Sequence, residues 1–118
     1  MNTLIIGASN NPTRYSYKAA HMLKSKGHEI IPFGVKKGEV ANEIMLNEWD
    51  TTWEVDTVTM YINKTLQIGY YDKIIALKPR RVIFNPGTEN PVFYVLLKSN
   101  NIKFEEACTL VLLSMGTY

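Results

Sequence analysis

The stretch most able to do chemistry is Gly7-Ala8-Ser9-Asn10-Asn11-Pro12-Thr13-Arg14-Tyr15-Ser16. It follows the apolar run Leu4-Ile5-Ile6, as expected after a strand buried on both faces, and it opens into a helical pattern. A strand, a glycine turn and a helix start form a natural phosphate site, because unpaired N–H groups and the positive helix end converge on one anion. The dinucleotide fingerprint G-x-G-x-x-G would put glycines at 7, 9 and 12, whereas the chain carries Gly7, Ser9 and Pro12. Ser9 places a side chain where a pyrophosphate approaches the backbone, and Pro12 has no N–H to give. The stretch therefore reads as a phosphate cradle of a different kind. Arg14 is formed either to clamp a phosphate bidentately or to join a surface ion pair. Ser9 and Ser16 can donate hydroxyls to phosphate, Ser16 also being a candidate helix cap. Asn10 and Asn11 tolerate the backbone angles of a tight turn.

A second clue lies at Phe33-Gly34-Val35-Lys36-Lys37. A protein gripping the ribose diol of NAD places a carboxylate about 20 residues past its glycine loop. Lysines stand there instead. They suit a phosphate on the ribose, as in NADP or coenzyme A, or they form a solvated loop.

The elements that must hold these residues follow from periodicity. Ser16 can cap a helix from Tyr17 to Lys26, with Ala19, Ala20, Met22 and Leu23 on one face; the alternative start has Asn11 as cap and Pro12 as first residue. Gly27 ends that helix, and Glu29 to Phe33 is a second strand. Residues 35–56 are hard to read, with a short extended piece near Ile44-Leu46 and a helical turn near Thr51-Trp53; so long a connection suggests a ligand wall or lid. Val55 to Ile62 is a third strand, and Asn63 caps a helix carrying Leu66, Tyr70, Ile74 and Leu77 until Pro79 stops it. Arg81 to Phe84 is a fourth strand. Asn90 and Pro91 start a helix through Leu97. Ile102 to Phe104 is a short fifth strand, and Cys108 to Leu113 is a last helix. Strands alternating with helices imply right-handed crossovers, hence a three-layer α/β Rossmann-like, doubly wound parallel sheet of about five strands in the order 3-2-1-4-5. The loops 7–16, 61–64 and 85–90 then meet at the carboxyl ends of the strands, which is the expected crevice.

Composition narrows the setting. The 118 residues suffice for one domain, 1–118, and the chain is 46% hydrophobic and 20% charged, as in ordinary globular proteins. A net charge of +2 gives no general attraction to nucleic acid, and the scattered aromatics form no basic stripe. No apolar run approaches the ~18 residues of a membrane span. The single cysteine, Cys108, fits a reducing compartment, and with no leader pattern at the start the expectation is a cytoplasmic protein.

At this point the chain resembles the small stand-alone CoA-binding proteins, related to the CoA-binding domain of the succinyl-CoA synthetase alpha subunit. The resemblance spans nearly the whole chain. It rests on Gly7-Ala8-Ser9-x-x-Pro12-x-Arg14-x-Ser16, Lys26-Gly27-His28-x-Ile30-x-Pro32, Val55-Asp56, Pro86-Gly87-x-Glu89-Asn90 and Cys108. It implies a Rossmann-like domain whose first loop (Gly7, Ala8, Ser9, Asn10, Pro12, Arg14, Tyr15, Ser16) holds the phosphates of coenzyme A or an acyl-CoA. The adenine end would lie by Phe33 and Lys36 and by Ile62 and Asn63, with Pro86 and Gly87 facing the pantetheine arm. Members often carry Val-Asn-Pro-Lys after the second strand, where this chain has Phe33-Gly34-Val35-Lys36; the lysine is kept and the Asn-Pro pair that would set the loop's shape is not.

Little in the chain points to catalysis. His21 sits inside a helix and His28 in a remote turn, and one cysteine with two scattered histidines makes no zinc site. Cys108 has no evident base, so a packed small residue is the simpler reading. Glu89 is the carboxylate best placed in the crevice, to orient a ligand amide or to favour the following helix. These observations lean against an enzyme and toward a binding, sensor or carrier domain for a small-molecule nucleotide. The alternatives are an NADP-binding oxidoreductase-type domain and an interaction module with a vestigial pocket. A homodimer or another protein partner is left open.

Overall fold

The computed structural model describes residues 2–118, and Met1 lies outside them. Its elements are β1 (Asn2–Ile6), α1 (Tyr15–Ser25), β2 (Glu29–Phe33), β3 (Glu39–Val40), β4 (Glu43–Ile44), β5 (Thr57–Met60), α2 (Lys64–Gln67), α3 (Tyr71–Leu77), β6 (Arg81–Phe84), α4 (Pro91–Ser99), β7 (Lys103–Glu106) and α5 (Thr109–Ser114). The main sheet is all parallel, in the order β2-β1-β5-β6-β7. Outside β2, a single parallel bridge joins Phe33 to Leu46. That stub occupies the place of strand three, and the doubly wound order 3-2-1-4-5 is met with it there.

The segments fill these places differently from the expectation. The strand read over Val55 to Ile62 is β5, and it lies against β1 in the fourth position rather than beyond β2. The chain between Phe33 and Thr57 makes only the antiparallel hairpin β3–β4 and the Leu46 bridge before crossing to the other side of β1. Ala41 and Asn42, with φ of 51° and 65°, make its two-residue turn with both central residues left-handed.

Alternation along β1 explains the layers. Leu4 and Ile6 face a core with Val58, Met60, Val82, Phe84 and the helical Ile74, Phe93 and Leu97. Ile5 faces the opposite core with Ala20, Leu23, Ile30 and Leu113. Side chains of period two on a central strand must find apolar partners on both faces, which only a three-layer arrangement provides. Ala19 and Ala20, fully buried, let α1 lie close to the sheet.

Two helix starts are as expected. Asn63 Oδ1 accepts from the Leu66 amide at 3.0 Å, and Asn90 Oδ1 from the Phe93 amide at 3.2 Å with Pro91 following. The first helix differs: it begins at Tyr15 with Arg14 in the cap position and no capping side chain, and Ser16 is buried within its first turn. Asn11 is the reason. Its Oδ1 accepts from the Thr13 amide at 3.0 Å and its carbonyl from the Arg14 amide at 3.0 Å, turning the chain before Ser16 is reached. The helix read from Asn63 to Leu77 is broken around Gly69 by a 3₁₀ turn, Ile68–Tyr70. The fifth strand runs to Glu106, further than the Phe104 expected.

Candidate functional site

Every predicted loop emerges at the carboxyl edge of the sheet. The first is held by β2: the amides of Gly7 and Ala8 both donate to the Phe33 carbonyl, each at 2.9 Å. Gly7 has φ +94°, and a Cβ there would stand 3.0 Å from Ile62 Cγ2 and 3.1 Å from the Tyr61 carbonyl carbon. Glycine is thus required both by backbone conformation and by the press of the 61–62 segment. Gly34 presses from the other side, where a Cβ would lie 2.6 Å from the Ala8 carbonyl oxygen. Asn10 reaches across the same gap, its Nδ2 lying 2.7 Å from where a Gly38 Cβ would stand.

The loop then arches toward α1. Ser9 Oγ accepts from the Asn11 amide at 3.0 Å, which leaves its hydroxyl hydrogen to donate elsewhere. Among the described residues, the amides of Ser9 and Asn10 donate to no protein acceptor. The first-turn amides of α1 have no partner within the helix and no capping side chain over them. Pro12, Thr13, Arg14 and Tyr15 are exposed, and Arg14 joins no ion pair among the described residues. Lys18 lies over the Tyr15 ring at 5.5 Å. Donors and a free guanidinium therefore face solvent at one helix start, a combination suited to an anion with several oxygens.

Lys36 is exposed on the neighbouring loop, whose shape is set by Asn47: its Nδ2 donates to the carbonyls of Gly34 and Lys36, both at 2.8 Å. The Phe33 side chain is buried and its carbonyl is already used, so this residue builds the site without facing it. Its ring meets Trp49 at 5.2 Å, Tyr70 at 5.6 Å and Trp53 at 5.9 Å, edge to face. Lys73 stands over Tyr70 at 5.4 Å. The hard-to-read stretch 35–56 thus supplies an aromatic wall beside the crevice.

Loops 61–64 and 85–90 are tied together by a buried amide that the sequence reading missed. Gln67 Nε2 donates to the Ile62 carbonyl at 2.9 Å and to the Thr88 carbonyl at 2.8 Å, while its Oε1 accepts from Asn90 Nδ2 at 2.9 Å. Asn85, also buried, donates to Thr59 Oγ1 at 2.7 Å and to the Met60 carbonyl at 3.0 Å, and accepts from the Thr109 amide at 2.8 Å. Buried polar groups so fully paired give rigid loops. Asn63 is spent as a helix cap, whereas Pro86 and Gly87 are exposed. Glu89 does not reach into the crevice as a free carboxylate, since its Oε1 accepts from the Gly87 amide at 2.9 Å.

Tyr61, half-buried, packs against the core of Ile5, Leu23 and Leu113 with its hydroxyl buried and unpaired; burial pushes its phenol up to about 12. Cys108 nearby is half-buried rather than fully packed. Among the described residues no group of three His, Cys, Asp or Glu side chains is placed to hold a metal. Among the described residues, too, no helix is long and apolar enough to cross a membrane. A separate concavity lies at the opposite edge of the sheet, lined by Arg80, Arg81, Lys98 and Lys103 among others, and none of the predicted residues borders it.

Comparison with known proteins accords with this architecture. The model of a CoA binding domain matches residues 1–114. An uncharacterized protein of solved crystal structure is 52% identical, with TM-score 0.96, over 99% of this chain and 97% of its own. A Thermus thermophilus protein shares the fold at 19% identity, with TM-score 0.88, over 99% of this chain and 90% of its own. A hypothetical protein from Pyrococcus horikoshii does so at 19% identity, with TM-score 0.83, over 92% of this chain and 78% of its own. No curated protein matches.

Proposed function

Since the chain belongs to the CoA binding domain family, we propose that it binds coenzyme A or an acyl-CoA across the carboxyl edge of the sheet, as a binding, sensor or carrier domain without chemistry of its own. The observation that carries this reading is the uncapped start of α1 beside exposed Arg14, on a loop pinned to Phe33. In this arrangement the pyrophosphate takes the Ser9 and Asn10 amides, the first-turn amides of α1 and the Arg14 guanidinium. Lys36, on the Asn47-braced loop, takes the ribose phosphate. Pro86 and Gly87 line the way of the pantetheine arm. The rigid Gln67 and Asn85 network keeps that path open at no ordering cost when ligand arrives.

Titration calorimetry of the purified chain against CoA, dephospho-CoA, acetyl-CoA and NADPH tests the reading. CoA and acetyl-CoA are expected to bind at sub-millimolar concentration, dephospho-CoA more weakly, and Lys36→Ala to remove the difference between CoA and dephospho-CoA. No heat with any CoA species overturns the proposal. Tight NADPH binding without CoA binding favours the oxidoreductase-type reading, to which the same two phosphate sites would be open.

A further inference from the structure

The sheet order ends on β7, and among the described residues nothing pairs with its outer side. The Ala107 amide donates inward to the Phe84 carbonyl at 3.1 Å. Backbone groups alternate sides along a strand, so Lys103 and Glu105 also turn theirs toward β6, while Phe104 and Glu106 turn theirs to solvent. The side chains of Lys103, Glu105 and Glu106 are exposed. Phe104 is half-buried, one face stacked on Tyr94 at 4.4 Å. Such an edge is a template for another strand unless something blunts it.

We propose that β7 pairs antiparallel with β7 of a second copy of this chain, across a two-fold axis passing at Phe104. In that register the outward N–H and C=O of Phe104 bond reciprocally with those of the second copy's Phe104. The Glu106 amide meets the second copy's Ile102 carbonyl. On the face carrying Lys103 and Glu105, Lys103 stands opposite the second copy's Glu105, and Glu105 opposite its Lys103, at the closely spaced, non-hydrogen-bonded positions where side chains interact most. On the other face the two Phe104 rings adjoin, extending the stack begun by Tyr94. Slipping the pair by two residues in either direction keeps the faces matched but sets Lys103 against Lys103 or Glu105 against Glu105. Charge thus selects one register, and the pattern is complementary to itself, as a two-fold interface requires. Glu105 is available for the contact: its bond to Arg81 is 3.4 Å long and its side chain is 44% exposed.

Sedimentation equilibrium of the full chain at low and high salt tests this. The wild type is expected to form a concentration-dependent dimer that weakens with salt. Lys103→Glu and Glu105→Lys each oppose like charges twice per dimer, so each alone should dimerise about tenfold more weakly or worse. Mixed one to one, the two variants restore opposite charges at both places and should associate with each other as tightly as the wild type. Thermal melts show whether each variant is folded; if Glu105→Lys is not, Glu105→Gln replaces it and should weaken the dimer without salt dependence at that pair. A wild type monomeric toward millimolar concentration, Lys103→Glu dimerising as the wild type does, or no gain on mixing overturns the proposal.

Discussion

Gly34→Ala tests whether the end of β2 and the first loop act as one unit. A methyl group at this position would lie 2.6 Å from the Ala8 carbonyl oxygen, whereas carbon and oxygen in close contact stay about 3.3 Å apart. The two backbones must therefore separate by about 0.7 Å. Neither side is free to move. Gly34 is fixed by its amide on the Leu46 carbonyl at 3.0 Å and by Asn47 on its own carbonyl at 2.8 Å. Ala8 is fixed by its 2.9 Å bond to Phe33. Forcing a methyl into such a contact costs about 1–3 kcal/mol, and the smaller entropy of the unfolded alanine chain returns about 0.4–1 kcal/mol of it. A net loss of about 1–2 kcal/mol corresponds to a melting temperature lower by about 5 °C for a chain of this size. The same displacement turns the Ser9 and Asn10 amides away from the place proposed for the phosphate, so CoA affinity should fall about tenfold. Gly27→Ala is the control: with φ +86° and nothing within 4 Å of a Cβ, it carries backbone strain alone. It should cost about 1–2 kcal/mol and leave CoA affinity unchanged. Melting curves and calorimetry on both variants decide the matter. If Gly34→Ala binds CoA as the wild type does, the press of β2 on the first loop has no part in ligand binding.

Arg14→Ala should leave the melting temperature of the free protein within about 1 °C, because the side chain is exposed and unpaired, yet it should reduce the stabilisation given by saturating CoA. Gln67→Ala should cost about 3 kcal/mol by denaturant unfolding, since it strands buried carbonyls of Ile62 and Thr88 and opens a cavity; amide exchange should rise most in the 85–90 loop. The buried Tyr61 phenol, raised to about 12 from an ordinary 10, binds its proton more tightly in the folded state. Its contribution is complete below pH 10 and is lost as pH climbs toward 12, amounting to at most about 3 kcal/mol. Tyr61→Phe should flatten that part of the stability profile between pH 9 and 11.5.

What could be read in the chain beforehand divides along a physical line. The strands, most helix boundaries and the first loop announce themselves locally: Leu4-Ile5-Ile6 by a continuous apolar run, Asn90-Pro91 by cap chemistry, and the loop by Gly7 with Ser9 and Pro12 where the fingerprint has glycines. The place of each strand in the sheet is a long-range property. Val55 to Ile62 has the composition of a buried parallel strand whichever neighbour it takes. The hairpin Glu39–Ile44 and the Leu46 bridge, too short to show periodicity, decided that it crosses to the far side of β1. Gln67 was hidden for a related reason. A lone amide between apolar helix positions looks like a solvent-facing residue until a second segment supplies carbonyls for it. Neither start offered for the first helix, Ser16 or Asn11, is the one adopted: Asn11 turns the chain through the Thr13 and Arg14 amides, and the helix begins at Tyr15.

These misses bear on the crevice itself. Because strand three shrinks to one bridge, the outer side of β2 is covered by a loop, and the loop brings Trp49 and Trp53 against Phe33. A full strand with its own crossover helix would have placed backbone ladders there and left no room for aromatic rings. The same shortening carries Lys36 and Lys37 on an exposed loop braced by Asn47, close to the first loop through Gly34 and Gly38. The departures from a standard dinucleotide fold therefore belong together. A loop without the second and third glycines, an arginine at the helix start, lysines in place of a carboxylate and a reduced third strand all fit the proposed ligand, with phosphates at two separated points, better than a flat pyrophosphate and free ribose.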